Sequence, residues 1–244
     1  MTLPFPLTAR PVRFKTDIPR WRTTLEALGA GLVSEHPGWL VYELGGGRLA
    51  LHAASEAQPV GTTLGMETGT PLPEAVAAAS EAGVAVTLED TDHGLAGVVR
   101  ASDGTTFCLD SPTGNETGAS TREPRLSVLQ IWYGPDTSVP LSTLEGLGAR
   151  RRLVGNDGTW TDLAFPGGGL AAAHAAGDTG TELAFEWDGD VEEVVGLLAE
   201  AGVRSTLIDE SYSRTVQVED PDGGKSVWVN ERQTDLYGYR LATG

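Results

Sequence analysis

One cysteine, Cys108, stands among 244 residues. A lone thiol excludes an intrachain disulfide and a zinc site built on several cysteines. Basic residues are scarce: 17 Lys and Arg face 34 Asp and Glu, for a net charge of −17. That charge repels phosphate backbones and anionic lipid, so it argues against nucleic-acid and membrane partners. Otherwise it reads as a solubility feature. No apolar run is long enough to span a bilayer. The opening residues Met1-Thr2-Leu3-Pro4-Phe5-Pro6 lack the basic and apolar regions of a signal peptide. These absences point to a soluble cytoplasmic protein.

What the chain has in quantity is glycine, 32 residues, and an apolar share of 40 %, enough for two cores of modest size. It also has an internal copy. Residues 180–231 align without a gap on residues 61–112 at a shift of 119, with 16 of 52 pairs identical. Each copy opens with a short apolar strand, Leu64-Gly65-Met66 or Leu183-Ala184-Phe185. A helix ending Glu-Ala-Gly-Val follows (Glu81 to Val84, Glu200 to Val203), and later an Asp-Gly turn, Asp103-Gly104 or Asp222-Gly223. The copy extends upstream: Trp39 matches Trp160, and Gly45-Gly46-Gly47 with His52 matches Gly167-Gly168-Gly169 with His174. The duplication predicts two similar domains, 8–112 and 125–231, a polar linker over 113–124 and a tail over 232–244.

Within each domain the pattern alternates strand and helix. Residues 12–15 alternate as a half-buried strand does. Asp17 before Ile18-Pro19 caps a helix that Gly29 ends. Residues 39–43 and 48–53 read as a hairpin around the glycine triplet. A strand over 62–67, an alanine-rich helix over 71–82, and strands over 84–88, 97–101 and 106–110 complete the first domain. The order is strand, helix, two or three strands, four times along the chain. The triplets lack the spacing of a phosphate loop.

The residues Leu183-Ala184-Phe185-Glu186-Trp187, the helix from Val191 to Val203 and the turn Asp220-Pro221-Asp222-Gly223 resemble the second half of a vicinal-oxygen-chelate domain. This is the superfamily of glyoxalase I, bleomycin-resistance proteins and extradiol dioxygenases. The resemblance covers nearly the whole chain, twice. It implies an α+β fold: a tandem duplicated glyoxalase/bleomycin-resistance/dioxygenase architecture of four βαβββ modules. These form curved mixed sheets with helices outside, each pair enclosing a cup that holds the ligand or metal. Catalytic relatives place up to four His, Glu or Gln metal ligands in that cup. The matching positions here are Ala9 or Pro11, Ala50, Thr63 and Cys108-Leu109 in the first domain. In the second they are Val128 or Gln130, Ala172, Glu182 and Val227-Trp228. A catalytic metal usually takes three protein ligands, so these sets point to a metal-free protein.

Strand parity then predicts which residues line the second cup: Gln130, Trp132, His174, Glu182 and Glu186, with His52 as the counterpart of His174 in the first. Trp132 would stack on a planar ligand and Glu182 would hold a cationic group. The competing reading makes Trp132 core and the histidines locally bonded strand ends. Trp21, Trp39, Trp160, Trp187 and Trp228 read as core, and Cys108 as a small hydrophobe facing the first cup. Three functions follow. One is a metal-free protein binding a small organic molecule in the second cup. Another is a metal-dependent lyase or dioxygenase using an atypical set such as His174, Glu182 and Gln130. The last is a structural or regulatory module whose cups are filled by their own side chains. Both a monomer and a homodimer are compatible with four modules in one chain.

Overall fold

The computed structural model describes residues 6–114, 123–210 and 213–242. The linker reading falls largely outside them.

The C-terminal half shows the architecture in its unbroken form. Its first module is β11 (Leu126–Gly134), α3 (Ser138–Gly146), β12 (Arg150–Gly155), β13 (Trp160–Ala164) and β14 (Leu170–Ala175). Its second is β15 (Gly180–Trp187), α4 (Glu192–Glu200), β16 (Ser205–Asp209), β17 (Arg214–Val218) and β18 (Val227–Glu231). A last strand, β19 (Tyr239–Leu241), adds to β12. One nine-stranded mixed sheet results, in the order β16-β17-β18-β15-β11-β14-β13-β12-β19. The long antiparallel pair β11–β15 joins the modules, and the parallel pairs β11–β14 and β15–β18 flank it.

The N-terminal half repeats this order with its central strands cut. The first module is β1 (Leu7–Ala9) and β2 (Val12–Lys15), α1 (Ile18–Ala27), β3 (Gly31–His36), β4 (Trp39–Glu43) and β5 (Arg48–Ala53). The second is β6 (Gly61–Thr63) and β7 (Gly65–Thr68), α2 (Leu72–Glu81), β8 (Val86–Thr91), β9 (Gly94–Arg100) and β10 (Thr106–Asp110). Arg10-Pro11 and Leu64 interrupt the strands, and two five-stranded sheets replace one. Pro11 has no N–H to give to a ladder, which is reason enough for a break there. Asp17 caps α1 by accepting from the Arg20 N–H, as its sequence predicts.

Each module has three strands after its helix. The first of the three, β3 or β12, is not signalled by the sequence. Both carry a register shift, at Leu32/Ser34 and Arg151/Leu153, which destroys the alternation. β12 also opens on three arginines that read as a solvated run.

The two halves pack through the sheet faces turned away from the cups. Ala9 N–H donates to Gly168 O at 2.9 Å, and Val128 N–H to Gly46 O at 2.9 Å. The two glycine triplets therefore meet near the pseudo-twofold axis. A Cβ on Gly47 (φ +81°) would sit 2.9 Å from Ala9 O and 2.9 Å from Gly169 Cα. The triplets are hairpin turns, as expected, and the positive φ together with close approach, from Ala9 of the same half and from Val128 and Gly169 of the other, requires glycine there. Around this contact lies a continuous core that includes Trp21, Trp132 and Trp187. Polar anchors sit at its edges. Lys15, fully buried, bonds Asp220 at 2.7 Å and lies 3.1 Å from Asp222, with its ammonium 4.9 Å from the Trp21 ring centre. Arg13 reaches Asp220 at 2.8 Å.

Candidate functional site: the C-terminal cup

The open side of the C-terminal sheet encloses a cavity of about 370 Å³. Its floor is apolar: Leu129 and Ile131 on β11, Ala172 on β14 and Ala184 on β15 pack together. Tyr133, Trp160, Trp228 and Tyr239 form aromatic walls. The chain after β18 contributes Gln233 and then Tyr239 before pairing with β12, on the opposite arm of the sheet. The residues between them thus form a strap over the mouth, docked through Gln233 and Tyr239 while Leu236 and Tyr237 stay exposed.

Four carboxylates line the cavity, Asp162, Glu182, Glu186 and Glu231, while none of the described lining residues is Lys or Arg. Arg152, on β12, serves two of them: it bonds Asp162 at 2.6 and 3.0 Å and Glu186 at 2.5 and 2.9 Å. One guanidinium facing two carboxylates leaves an excess negative charge deep in the cup. Burial raises the Asp162 carboxyl to about 6, against the opposing pull of Arg152. Glu182, at the rim, accepts from the Tyr133 hydroxyl at 3.1 Å and from Lys225 at 2.8 Å.

His174 stands between Tyr133 and Trp160, its ring centre 5.2 and 5.4 Å from theirs in edge-on geometry. Its Nδ1 is buried with no partner. Burial lowers its pKa, so the imidazole is neutral at neutral pH. His52 is held the same way, by Phe14 and Trp39 at 5.3 and 5.5 Å, but its Nδ1 lies 2.7 Å from Ala53 O. The clamp is common to both halves. The unpartnered nitrogen distinguishes His174.

The expected lining residues therefore divide. His174, Glu182 and Glu186 face the second cup together. Trp132 and Gln130 do not. Cup-facing parity on β11 belongs to Leu129, Ile131 and Tyr133, one residue out of step with the expected set. Trp132 points into the interface, where Nε1 donates to Asp103 at 2.9 Å and the ring meets Phe107. Gln130 accepts from Gly65 N–H at 3.2 Å. Trp160 and Trp228, expected in the core, line the cup instead. The repeat alignment could have exposed part of this. Trp228 pairs with Ala184 as Cys108 pairs with Gly65, so the second turn is one residue longer and the ungapped match slips after it.

The first cup is occupied by its own side chains. Arg10 takes the place of Leu129, 3 % exposed, with its guanidinium carbon 5.6 Å from the Trp39 ring centre. It lies 3.0 Å from Glu67 and bonds Asp110, while Arg48 meets Glu67 at 2.8 Å. Where the C-terminal half has Arg152, Asp162 and Ala172, the N-terminal half has the apolar cluster Val33, Val41 and Ala50.

The fold has known counterparts. A halotolerant catechol dioxygenase superposes with a TM-score of 0.61 at 14 % identity, over 95 % of this chain and 88 % of that one. The 2,3-dioxygenase LapB from Pseudomonas sp. KL28 gives 0.62 at 14 % identity, over 96 % and 93 %. A Mn(II)-bound glyoxalase from Novosphingobium aromaticivorans gives 0.63 at 13 % identity, over 96 % and 85 %. The chain shares its fold with these two dioxygenases and this glyoxalase. No family model and no curated protein matches the sequence itself. No helix among the described residues is long and apolar enough to cross a membrane.

The donors that a vicinal-oxygen-chelate metal would need are missing from the C-terminal cup floor. Leu129, Ile131, Ala172 and Ala184 offer none, and Trp228 occupies the last strand position. Glu182 is committed to Tyr133 and Lys225, and Gln130 lies on the far face of the sheet. His174, Asp162, Glu186 and Glu231 do line the cavity, but among the described residues no three donors of this cup converge on one point, so the residues present do not fit a three-ligand catalytic metal there.

Proposed function

We propose that the C-terminal cup binds a small planar organic molecule without a bound metal, and that the ligand carries a positive or hydrogen-donating group. The observation that carries this reading is an aromatic-walled cavity over an apolar floor, with one uncompensated carboxylate at Asp162–Glu186. A volume of about 370 Å³ lies at the lower end of the roughly 300–1,000 Å³ range of small-molecule pockets. Trp160 and Trp228 supply faces on which a flat ring stacks, and a cation between them gains from the ring quadrupoles. The neutral, unpartnered Nδ1 of His174 supplies a further directional contact. The superfamily's fold accommodates both metal-dependent and binding roles, so function is argued from the site.

The test is a screen of aromatic amines and their neutral isosteres by quenching of intrinsic Trp fluorescence, repeated after exhaustive chelation. Saturable binding that survives chelation, prefers the amines and is lost in Trp228→Ala supports the reading. Binding or turnover that vanishes on chelation and returns with Mn2+ or Fe2+ supports the metal-dependent alternative instead.

A further inference from the structure

A separate cluster of donors lies on the cup side of the N-terminal half, at the rim. Cys108 and Asp110 are two residues apart on β10 and share a face. His93 comes from the turn between β8 and β9. One ligand atom from each lies within 4.8 Å of the others, the one such group of three among the described His, Cys, Asp and Glu residues. We propose that His93, Cys108 and Asp110 form a binding site for a zinc-like divalent cation.

The surroundings are those of a supported ligand set. His93 Nδ1 faces Asp92 Oδ1 at 3.0 Å and Thr91 Oγ1 at 3.1 Å, which turns Nε2 towards Asp110 Oδ1 at 3.3 Å. His93 Nε2 and Asp110 Oδ1 thus share one proton position, with Cys108 alongside. A cation takes the place of that proton, with the imidazole proton on Nδ1. Asp110 is braced from behind, because its other oxygen accepts from Arg10. A carboxylate on the far nitrogen of a ligating histidine, and a second bond on a ligating carboxylate, are the usual outer supports of a metal site.

The donor chemistry selects the metal. Imidazole, thiolate and carboxylate together suit Zn2+ and similar borderline ions, not the all-oxygen preference of Mg2+ or Ca2+. Three protein ligands leave one tetrahedral position for water. A free cysteine thiol is mostly protonated at neutral pH. Binding therefore forms one metal–sulfur bond and releases one thiol proton to buffer. The site differs from the set implied by the superfamily resemblance. Only Cys108 stands at one of those positions, and Ala50 and the Arg10 side chain occupy the others' surroundings. Its consequence is to tie the β8–β9 turn to β10, independently of the C-terminal cup.

The experiment titrates the chelated full-length chain with Zn2+ by calorimetry and with Co2+ by absorbance, and follows alkylation of Cys108, the only thiol. Expected are one Zn2+ per chain, a thiolate-to-Co2+ charge-transfer band and alkylation slowed at least tenfold by Zn2+. His93→Gln, on an exposed turn that carries no core packing, is expected to weaken Zn2+ binding by at least about tenfold. No Zn2+ uptake would overturn the proposal. So would uptake that leaves the alkylation rate and the Co2+ spectrum unchanged, or an affinity untouched by His93→Gln. Aromatic-amine binding in the C-terminal cup is expected to be the same with and without Zn2+.

Discussion

Trp132 donates its indole N–H to Asp103 Oδ2 at 2.9 Å, from the central strand of one half to the Asp-Gly turn of the other. The relation is reciprocal. Arg13, which stands 119 residues before Trp132, reaches Asp220 in the second turn, and its neighbour Lys15 lies against Asp222, the counterpart of Asp103. The duplication has thus kept the contact while exchanging an aromatic donor for basic ones.

Because Trp132 is fully buried at this junction, its role is stability. Trp132→Ala is expected to cost about 3–5 kcal/mol. Asp103→Ala, which leaves the indole N–H buried and unpartnered, is expected to cost about 1–3 kcal/mol. Equilibrium urea unfolding measures both. Neither change is expected to alter ligand affinity in the C-terminal cup, whereas Trp228→Ala reduces affinity with little loss of stability. The reverse pattern would place Trp132 in a binding role.

Glycine at the triplet contact is expected to be irreplaceable. Gly169 has φ +82°, and a Cβ there would lie 2.6 Å from Ala9 Cβ and 3.2 Å from Gly47 Cα. Gly169→Ala adds left-handed strain to a steric clash across the interface, together about 1–3 kcal/mol or more. Gly104→Ala shares the positive φ, +90°, but meets nothing within 4 Å. It is the control. Thermal melts in which the two variants lose equal stability would show that backbone strain alone, not close approach, demands glycine at Gly169.

How far the sequence could be read follows from the same features. The duplication, the helices with their caps and stops, and the Asp-Gly turns are local, and they give the α+β tandem architecture directly. Parity gives the right face along β14, where His174 lines the cup and Ala172, two residues earlier, shares its face, although Leu170 to Ala173 are all buried. It was not legible along β11. There Leu129, Gln130, Ile131 and Trp132 are all buried, because one sheet face packs on the cup floor and the other on the second half. A strand covered on both faces shows no alternation to read. The Arg152 bridge was hidden for another reason. β12 carries a bulge, and only tertiary structure shows which of its three arginines turns inward.

Asp162 makes a pH signature. Its folded carboxyl is raised to about 6, primarily by burial, with Arg152 and Arg232 pulling it down and Glu186 pushing it up. A folded value above the unfolded one means that the protonated carboxyl favours the fold. The contribution is fully present below the unfolded value near 3.9 and is lost as pH rises through about 6, an amount on the order of 3 kcal/mol. The thermal midpoint is expected to rise through this group as pH falls from 7.5 to 5. Asp162→Asn is expected to flatten that slope. A slope unchanged in Asp162→Asn would assign the titration elsewhere.

The strap over the cup gives the last prediction. Tyr239 and Gln233 line the cavity, while Tyr237 and Leu241 nearby are 89 % and 64 % exposed, so the strap adds wall without adding core. Burial raises the Tyr239 phenol, consistent with a ring turned inward. Tyr239→Ala is expected to weaken an aromatic ligand found in the fluorescence screen about tenfold, equivalent to about 1.4 kcal/mol. The thermal midpoint is expected to move by no more than a few degrees. A chain ended after Arg232 is expected to lose the same affinity chiefly through faster dissociation, because a cup without its cover retains the floor and the Trp160 and Trp228 faces but not the barrier to exit. Stopped-flow displacement separates the two rates. If dissociation stays unchanged and association slows, the strap guides entry and does not retain the ligand.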